Sequence, residues 1–80
     1  MTLTELRYIV ALAQDGNFSR AAERCSVSQP TLSVAIARLE DELGVQLFER
    51  GKGFVSPSAV GVRVVEQAKQ ALLETEKVRQ

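Results

Sequence analysis

The sequence predicts a mainly α-helical fold, with three short helices, a two-stranded hairpin and one long final helix. Apolar residues recur at helical spacing in four separate stretches. Residues that start and stop helices fall between those stretches, at Asp15-Gly16-Asn17, Ser28 and Gly44. Only residues 47–56 break the helical rhythm, and there two short runs flank a glycine-rich tip.

The first helix spans residues 3–14, with Leu3, Leu6, Ile9, Val10 and Ala13 apolar. Gly16 closes it in the left-handed conformation, and Asn17 caps the next helix by accepting a free backbone N–H. That second helix is short, residues 18–25, with Phe18, Ala21, Ala22 and Cys25 apolar. Ser26-Val27-Ser28 is a turn. Ser28 caps a third helix over 29–43, and Pro30 fits its first turn, where the missing N–H costs nothing. Leu32, Ala35, Ile36, Leu39 and Leu43 share one face of this helix, and Gly44 stops it. Leu47-Phe48-Glu49-Arg50 and Phe54-Val55-Ser56 flank Gly51-Lys52-Gly53 as a hairpin that Pro57 ends. Ser58 caps a final helix to about residue 79, striped by Val64, Val65, Ala68, Ala71 and Leu72. At 1.5 Å per residue it is ~33 Å long, more than so small a body covers. The stripe therefore serves both the chain's own core and, at its outer end, a seam with a second copy.

Composition narrows the function. Eighty residues make one small domain with no room for a separate catalytic unit. There is no histidine, and Cys25 is the only cysteine, which rules out an intrachain disulfide and disfavours a zinc site. A partner chain is the expected extra source of stability, and no cofactor or metal is expected. Apolar runs fall well short of the ~20 residues that span a bilayer, and no secretory leader pattern opens the chain. These features predict a cytoplasmic protein that does not engage membranes. Ten basic and ten acidic residues cancel, which counts against nucleic acid unless Arg20, Arg38, Arg50 and Lys52 are presented away from the acids.

The stretch from Phe18 to Ala37 carries the chemistry. Ala21, Ala22 and Cys25 are small enough for two helices to cross, and Val27 plugs the crossing from the turn. Leu32 with Ala35 or Ile36 anchors the second helix of the pair. This leaves Gln29, Thr31, Ser33, Val34 and Arg38 to face outward. Glutamine reads adenine in a major groove, hydroxyls bond phosphates or bases, and arginine binds phosphate. The arrangement is a helix-turn-helix with a wing.

The series Phe18-Ser19-Arg20-Ala21-Ala22, Val27-Ser28-Gln29-Pro30-Thr31-Leu32-Ser33, Ile36, Leu39-Glu40, Leu43-Gly44-Val45 and Leu47-Phe48-Glu49-Arg50 resembles the N-terminal domain of the LysR-type transcriptional regulators. The resemblance covers essentially the whole chain without an insertion. Glu23-Arg24-Cys25, Gln29 to Ser33 and Leu39 to Val45 are most similar to the peroxide-responsive OxyR group. It implies a winged helix-turn-helix over residues 1–57, with the helix-turn-helix at about 18–37 and the wing at about 47–56. Residues 58–80 would form a linker helix for dimerisation, leading to a C-terminal effector domain absent from this chain. It further implies homodimers, with higher oligomers of the full-length protein, on a pseudo-palindromic double-stranded DNA site. The third helix would enter the major groove and the wing the adjacent minor groove. Carried over by position, Ser28, Gln29, Pro30, Thr31, Ser33, Val34 and Arg38 are the third-helix contacts. Ser19 and Arg20 fall near the backbone, and Arg50 and Lys52 serve the wing. Val34 departs from the polar or basic residue often found there, and the Gly51-Lys52-Gly53-Phe54 tip is poor in basic residues.

Plainer roles compete at several positions. Cys25 lies on a helix face that predicts a buried structural thiol rather than a sensor. Glu40-Asp41-Glu42 reads as a solvated patch, with a basic partner expected for Glu40 near the helix C-terminus. Arg50 has Glu40 and Glu49 as alternatives to phosphate. A winged helix used for protein contact or dimerisation, without DNA, is the competing function, and zero net charge suits it. An enzyme is the weakest option, because no nucleophile with a base and no phosphate loop is present.

Overall fold

The computed structural model describes residues 1–79 as four α-helices and a two-stranded antiparallel hairpin, in the order α1 Leu3–Asp15, α2 Phe18–Arg24, α3 Gln29–Leu43, β1 Phe48–Arg50, β2 Val55–Pro57 and α4 Ala59–Arg79. Each of the first three helices starts on a side-chain cap. Thr2 and Glu5 exchange bonds in a capping box on α1, the Asn17 side chain accepts from Arg20 N, and the Ser28 hydroxyl accepts from Thr31 N. These side chains satisfy amides that the first turn of a helix leaves unpaired. Gly16 and Gly44 end α1 and α3 at φ +63° and +70°, a conformation open to glycine at little cost. Between α2 and α3, Ser26 takes φ +59° and Val27 N donates to the Ala22 carbonyl, turning the chain back.

α1 runs through the middle of the body, packed against α2, α3, α4 and β2. Its burial therefore differs from the sequence stripe. Ile9, Ala11 and Leu12 are buried, whereas Leu3 is exposed and Leu6, Val10 and Ala13 are half-buried. Phe18, Ala21 and Ala22 of α2 meet Leu32, Ile36 and Leu39 of α3 in one core with Leu47, Phe48 and Val65. Leu43, expected on that face, is instead exposed at the end of α3 because the chain leaves the core at Gly44.

The hairpin pairs Phe48 with Pro57, Glu49 with Ser56 and Arg50 with Val55. It sits one residue later than the sequence suggests: Leu47 precedes β1, Phe54 belongs to the tip, and Pro57 is the last residue of β2. Three contacts fasten it. Val55 N donates to the Gly16 carbonyl at 2.8 Å. One carboxylate oxygen of Glu40 accepts from Leu47 N and Phe48 N, at 2.7 and 3.2 Å. Ser58, whose hydroxyl caps α4 by accepting from Gly61 N, also donates to the Gln46 carbonyl.

α4 lies so close to this junction that a Cβ on Gly61 would collide with the Leu47 carbonyl oxygen. Gly61, Val65 and Ala68 are its buried positions, and beyond Ala68 no described residue of α4 is buried. Val65 and Ala68 thus belong to the chain's own core, which corrects their assignment to a seam between chains: side chains 5% and 2% exposed have no surface to offer a partner. Val64, Ala71 and Leu72 remain half-buried and available. Among the described residues no helix is long and apolar enough to cross a membrane.

Candidate nucleic-acid interface

The start of α3 is held rigidly and faces outward. Ser28 uses its hydroxyl twice, accepting from Thr31 N at 3.2 Å and donating to Thr31 Oγ1 at 2.9 Å. Gln29, the first residue of α3, accepts through Oε1 from the Ser19 hydroxyl on α2 at 2.9 Å. All four of these side chains are exposed. Along α3, burial of Leu32, Ile36 and Leu39 on one side leaves Pro30, Thr31, Val34 and Arg38 exposed on the other, while Ser33 is half-buried. Val34 presents half of its surface, an apolar patch among polar neighbours.

The wing approaches the same end. A shallow depression is lined by Asn17, Phe18, Ser19, Gln29, Arg50, Gly51 and Phe54. The structure therefore brings Ser19, Gln29 and Arg50 together from α2, α3 and β1. Arg38 lies nine residues along α3 from Gln29, about 13 Å at the helical rise. Arg20 has different neighbours, Asp15, Glu23 and Arg24. Lys52 stands exposed at the tip of the wing.

The Arg50 guanidinium stacks over the Phe18 ring, 4.6 Å from its centroid. Such stacking orients a cation without neutralising it. Neither Glu40 nor Glu49 lies within ion-pair distance of Arg50, so the carboxylate alternatives to a phosphate contact do not form and an aromatic face supports the guanidinium instead. Glu40 likewise lacks the basic partner anticipated for it and binds backbone amides instead.

Among the described residues, none of Arg20, Arg38, Arg50 and Lys52 forms an ion pair. The pairs that do form are Arg24–Asp15, Lys69–Glu66, Lys77–Glu74 and Arg79–Glu76, with Glu5 and Glu42 near the amino terminus. Cancellation of charge is thus concentrated away from the start of α3 and the wing. Asp41, Glu42 and Glu49 are also exposed on α3 and the wing, so the cations there stand among acidic residues.

Arg24 grips Asp15 with two bonds of 2.8 Å, which hold the Asp15 carboxyl below its ordinary value and raise Arg24. Cys25 is half-buried rather than buried, and its partial burial pushes the thiol up, away from the reactive thiolate. No group of three or more His, Cys, Asp or Glu among the described residues is placed to hold a metal ion.

Two participants escaped the sequence reading. Phe18 is read there as a core residue, and its second role under Arg50 depends on a fold-level approach of residues 32 positions apart. Phe54 is 56% exposed beside Gly51, an aromatic surface at the wing that strand patterning had placed in the hairpin.

Comparison with known proteins converges on one family. The model described as bacterial regulatory helix-turn-helix protein, lysR family, matches residues 3–62. A hydrogen peroxide-inducible genes activator of Pectobacterium carotovorum is 48% identical over 80 residues, all of this chain and 26% of that protein. The chain thus spans about a quarter of the length of such relatives. A full-length OxyR variant from Pseudomonas aeruginosa superposes with a TM-score of 0.93 at 59% identity, covering 99% of this chain and 27% of that one. The CbnR DBD–DNA complex gives 0.92 at 35% identity, covering 98% of this chain and 90% of that one.

Proposed function

Because the chain belongs to the LysR family of bacterial helix-turn-helix regulators, we propose that it binds double-stranded DNA as the N-terminal part of a dimeric transcription regulator. The observation that carries this is the start of α3. Its hydrogen-bonding side chains are exposed, individually tethered and grouped with an unneutralised arginine, on a fold that superposes on a chain solved with DNA. In this proposal α3 enters the major groove, with Gln29, Pro30, Thr31 and Val34 toward the bases. Ser19, Arg20, Ser28, Ser33 and Arg38 lie near the backbone, and Arg50 and Lys52 carry the wing to the adjacent minor groove. Val34 offers only an apolar surface, which suits a thymine methyl.

Residues 1–57 act as the winged helix-turn-helix and residues 58–80 as the linker and pairing helix. Two copies would set their third helices ~34 Å, or a multiple of a helical turn, apart on a pseudo-palindromic site. The names of the relatives, a hydrogen peroxide-inducible genes activator and a DNA-binding transcriptional dual regulator OxyR, support a peroxide-responsive regulator; action in the cytoplasm and without catalysis of its own is part of the proposal.

Selection of bound sequences from a random duplex pool tests the proposal. Recovery of two related half-sites at helical spacing is the expected result. Absence of binding to any duplex at low salt would overturn it and favour a winged helix used for protein contact.

A further inference from the structure

We infer that Ser19 is a positioning residue that fixes Gln29 as a hydrogen-bond donor toward DNA, and so sets base preference without itself touching a base. The inference rests on the DNA-binding function proposed above.

The two side chains lie ten residues apart, on different helices, and meet at 2.9 Å with the serine donating and the glutamine carbonyl accepting. Both are exposed, so core packing does not force the contact. The backbone beneath each is anchored by its own cap, Asn17 under α2 and Ser28 under α3, and Pro30 restricts the backbone of Gln29 before it. An exposed glutamine ordinarily spreads over many rotamers and turns either end of its amide outward. Here the carbonyl oxygen already accepts one bond and is drawn toward α2, which turns the two N–H bonds outward as the main available face.

That choice of end has a chemical consequence. A free glutamine pairs with adenine by giving one hydrogen bond to N7 and accepting one from N6. A glutamine whose carbonyl already accepts from Ser19 has one lone pair left beside two N–H bonds, so it favours edges that accept: guanine through O6 and N7, or thymine through O4. Cytosine, which offers a donor there, suits it least. Ser19 therefore biases Gln29 away from adenine toward guanine or thymine at the base it meets.

The test uses the whole chain and a duplex selected from a random pool. The relevant base pair is the one whose preference disappears in Gln29→Ala. Affinity for all four bases at that position, and for random duplex, is measured for wild type, Ser19→Ala, Ser19→Thr, Gln29→Ala and the double variant. Wild type is expected to favour guanine or thymine over adenine by about tenfold, the worth of one good hydrogen bond. Ser19→Ala should abolish or reverse that ratio, while Ser19→Thr, which keeps a hydroxyl, restores it. The double variant should match Gln29→Ala, because the serine acts only through the glutamine. Salt dependence should stay at the wild-type value throughout, since neither side chain is charged. Two results would overturn the positioning role: additive losses of base preference in the double variant, or Ser19→Ala keeping the wild-type base ratio while it weakens random and selected duplexes alike. Failure of the wild type to bind any duplex would instead overturn the DNA-binding function itself.

Discussion

At the level of single residues, the chain separates charges that do structural work from charges left free. Lys52 stands exposed at the wing tip with no carboxylate partner among the described residues. Lys52→Ala is expected to weaken binding to all DNA sequences similarly and to lower the slope of log affinity against log salt by about one; titrations at several salt concentrations measure both. Asp15 is the opposite case. Its bonds to Arg24 depress its folded-state value below the ordinary 3.8, so the stability it contributes is present above that value and is lost as the pH falls through the depressed one. Asp15→Asn should therefore be less stable than wild type at neutral pH, with the difference closing in strong acid, as read from urea midpoints across pH. Asp15 is half-buried but its partner Arg24 is exposed, so solvent screens the pair and the effect will be small. Sequence gave a good list of outward polar residues on α3, because helical periodicity fixes which positions oppose Leu32, Ile36 and Leu39. It offered carboxylates for Arg50 and a basic residue for Glu40, and neither pairing forms, because a cation over a ring and a carboxylate on two amides both depend on where distant segments meet.

At the level of elements, the wing and α4 are held by a few short-range contacts at one junction. Glu40→Ala would leave the amides of Leu47 and Phe48 without their carboxylate, a loss of about 1.5–3 kcal/mol for charge-assisted bonds. Faster hydrogen exchange at those two amides than in the rest of the core is the expected signature. Gly61→Ala places a methyl group against the Leu47 carbonyl, which a backbone atom cannot easily avoid. Overpacking of this kind costs about 1–3 kcal/mol, visible as a lowered urea midpoint, even though alanine is the better helix former. A glycine inside a helix reads from sequence as a weak point; only the close approach of β1 gives it a reason. The strand bounds differ from the sequence reading by one residue, and Val55 is also bonded to Gly16 from outside the hairpin, an anchor that local turn signals do not contain.

At the level of the whole molecule, α4 carries an uncovered apolar side. Val60, Val64, Ala71 and Val78 lie within about 40° of one another around the helix at 100° per residue. With Met1, Leu6 and Leu43, the first three line an open groove beside the buried stripe. This is the surface we assign to the second copy. Ala71→Glu, beyond the last buried position of α4, is expected to leave the fold intact by circular dichroism yet shift the chain toward monomer in sedimentation, and to weaken binding to paired half-sites far more than to one. Retention of the dimer by this variant would remove the groove from the interface. The order of elements, the caps at Asn17, Ser28 and Ser58, the helix-turn-helix and the outward face of α3 were determined by sequence alone, since each follows from periodicity and local backbone chemistry within one or two turns. What only the tertiary structure decided is how these parts meet: that α1 is central, that Val65 and Ala68 turn inward, that Phe18 supports Arg50, and that Ser19 reaches Gln29. The physical reason is the range of the forces involved. Caps and stripes act between neighbours in the chain, whereas burial, stacking and cross-helix hydrogen bonds depend on distances that exist only once the chain has folded.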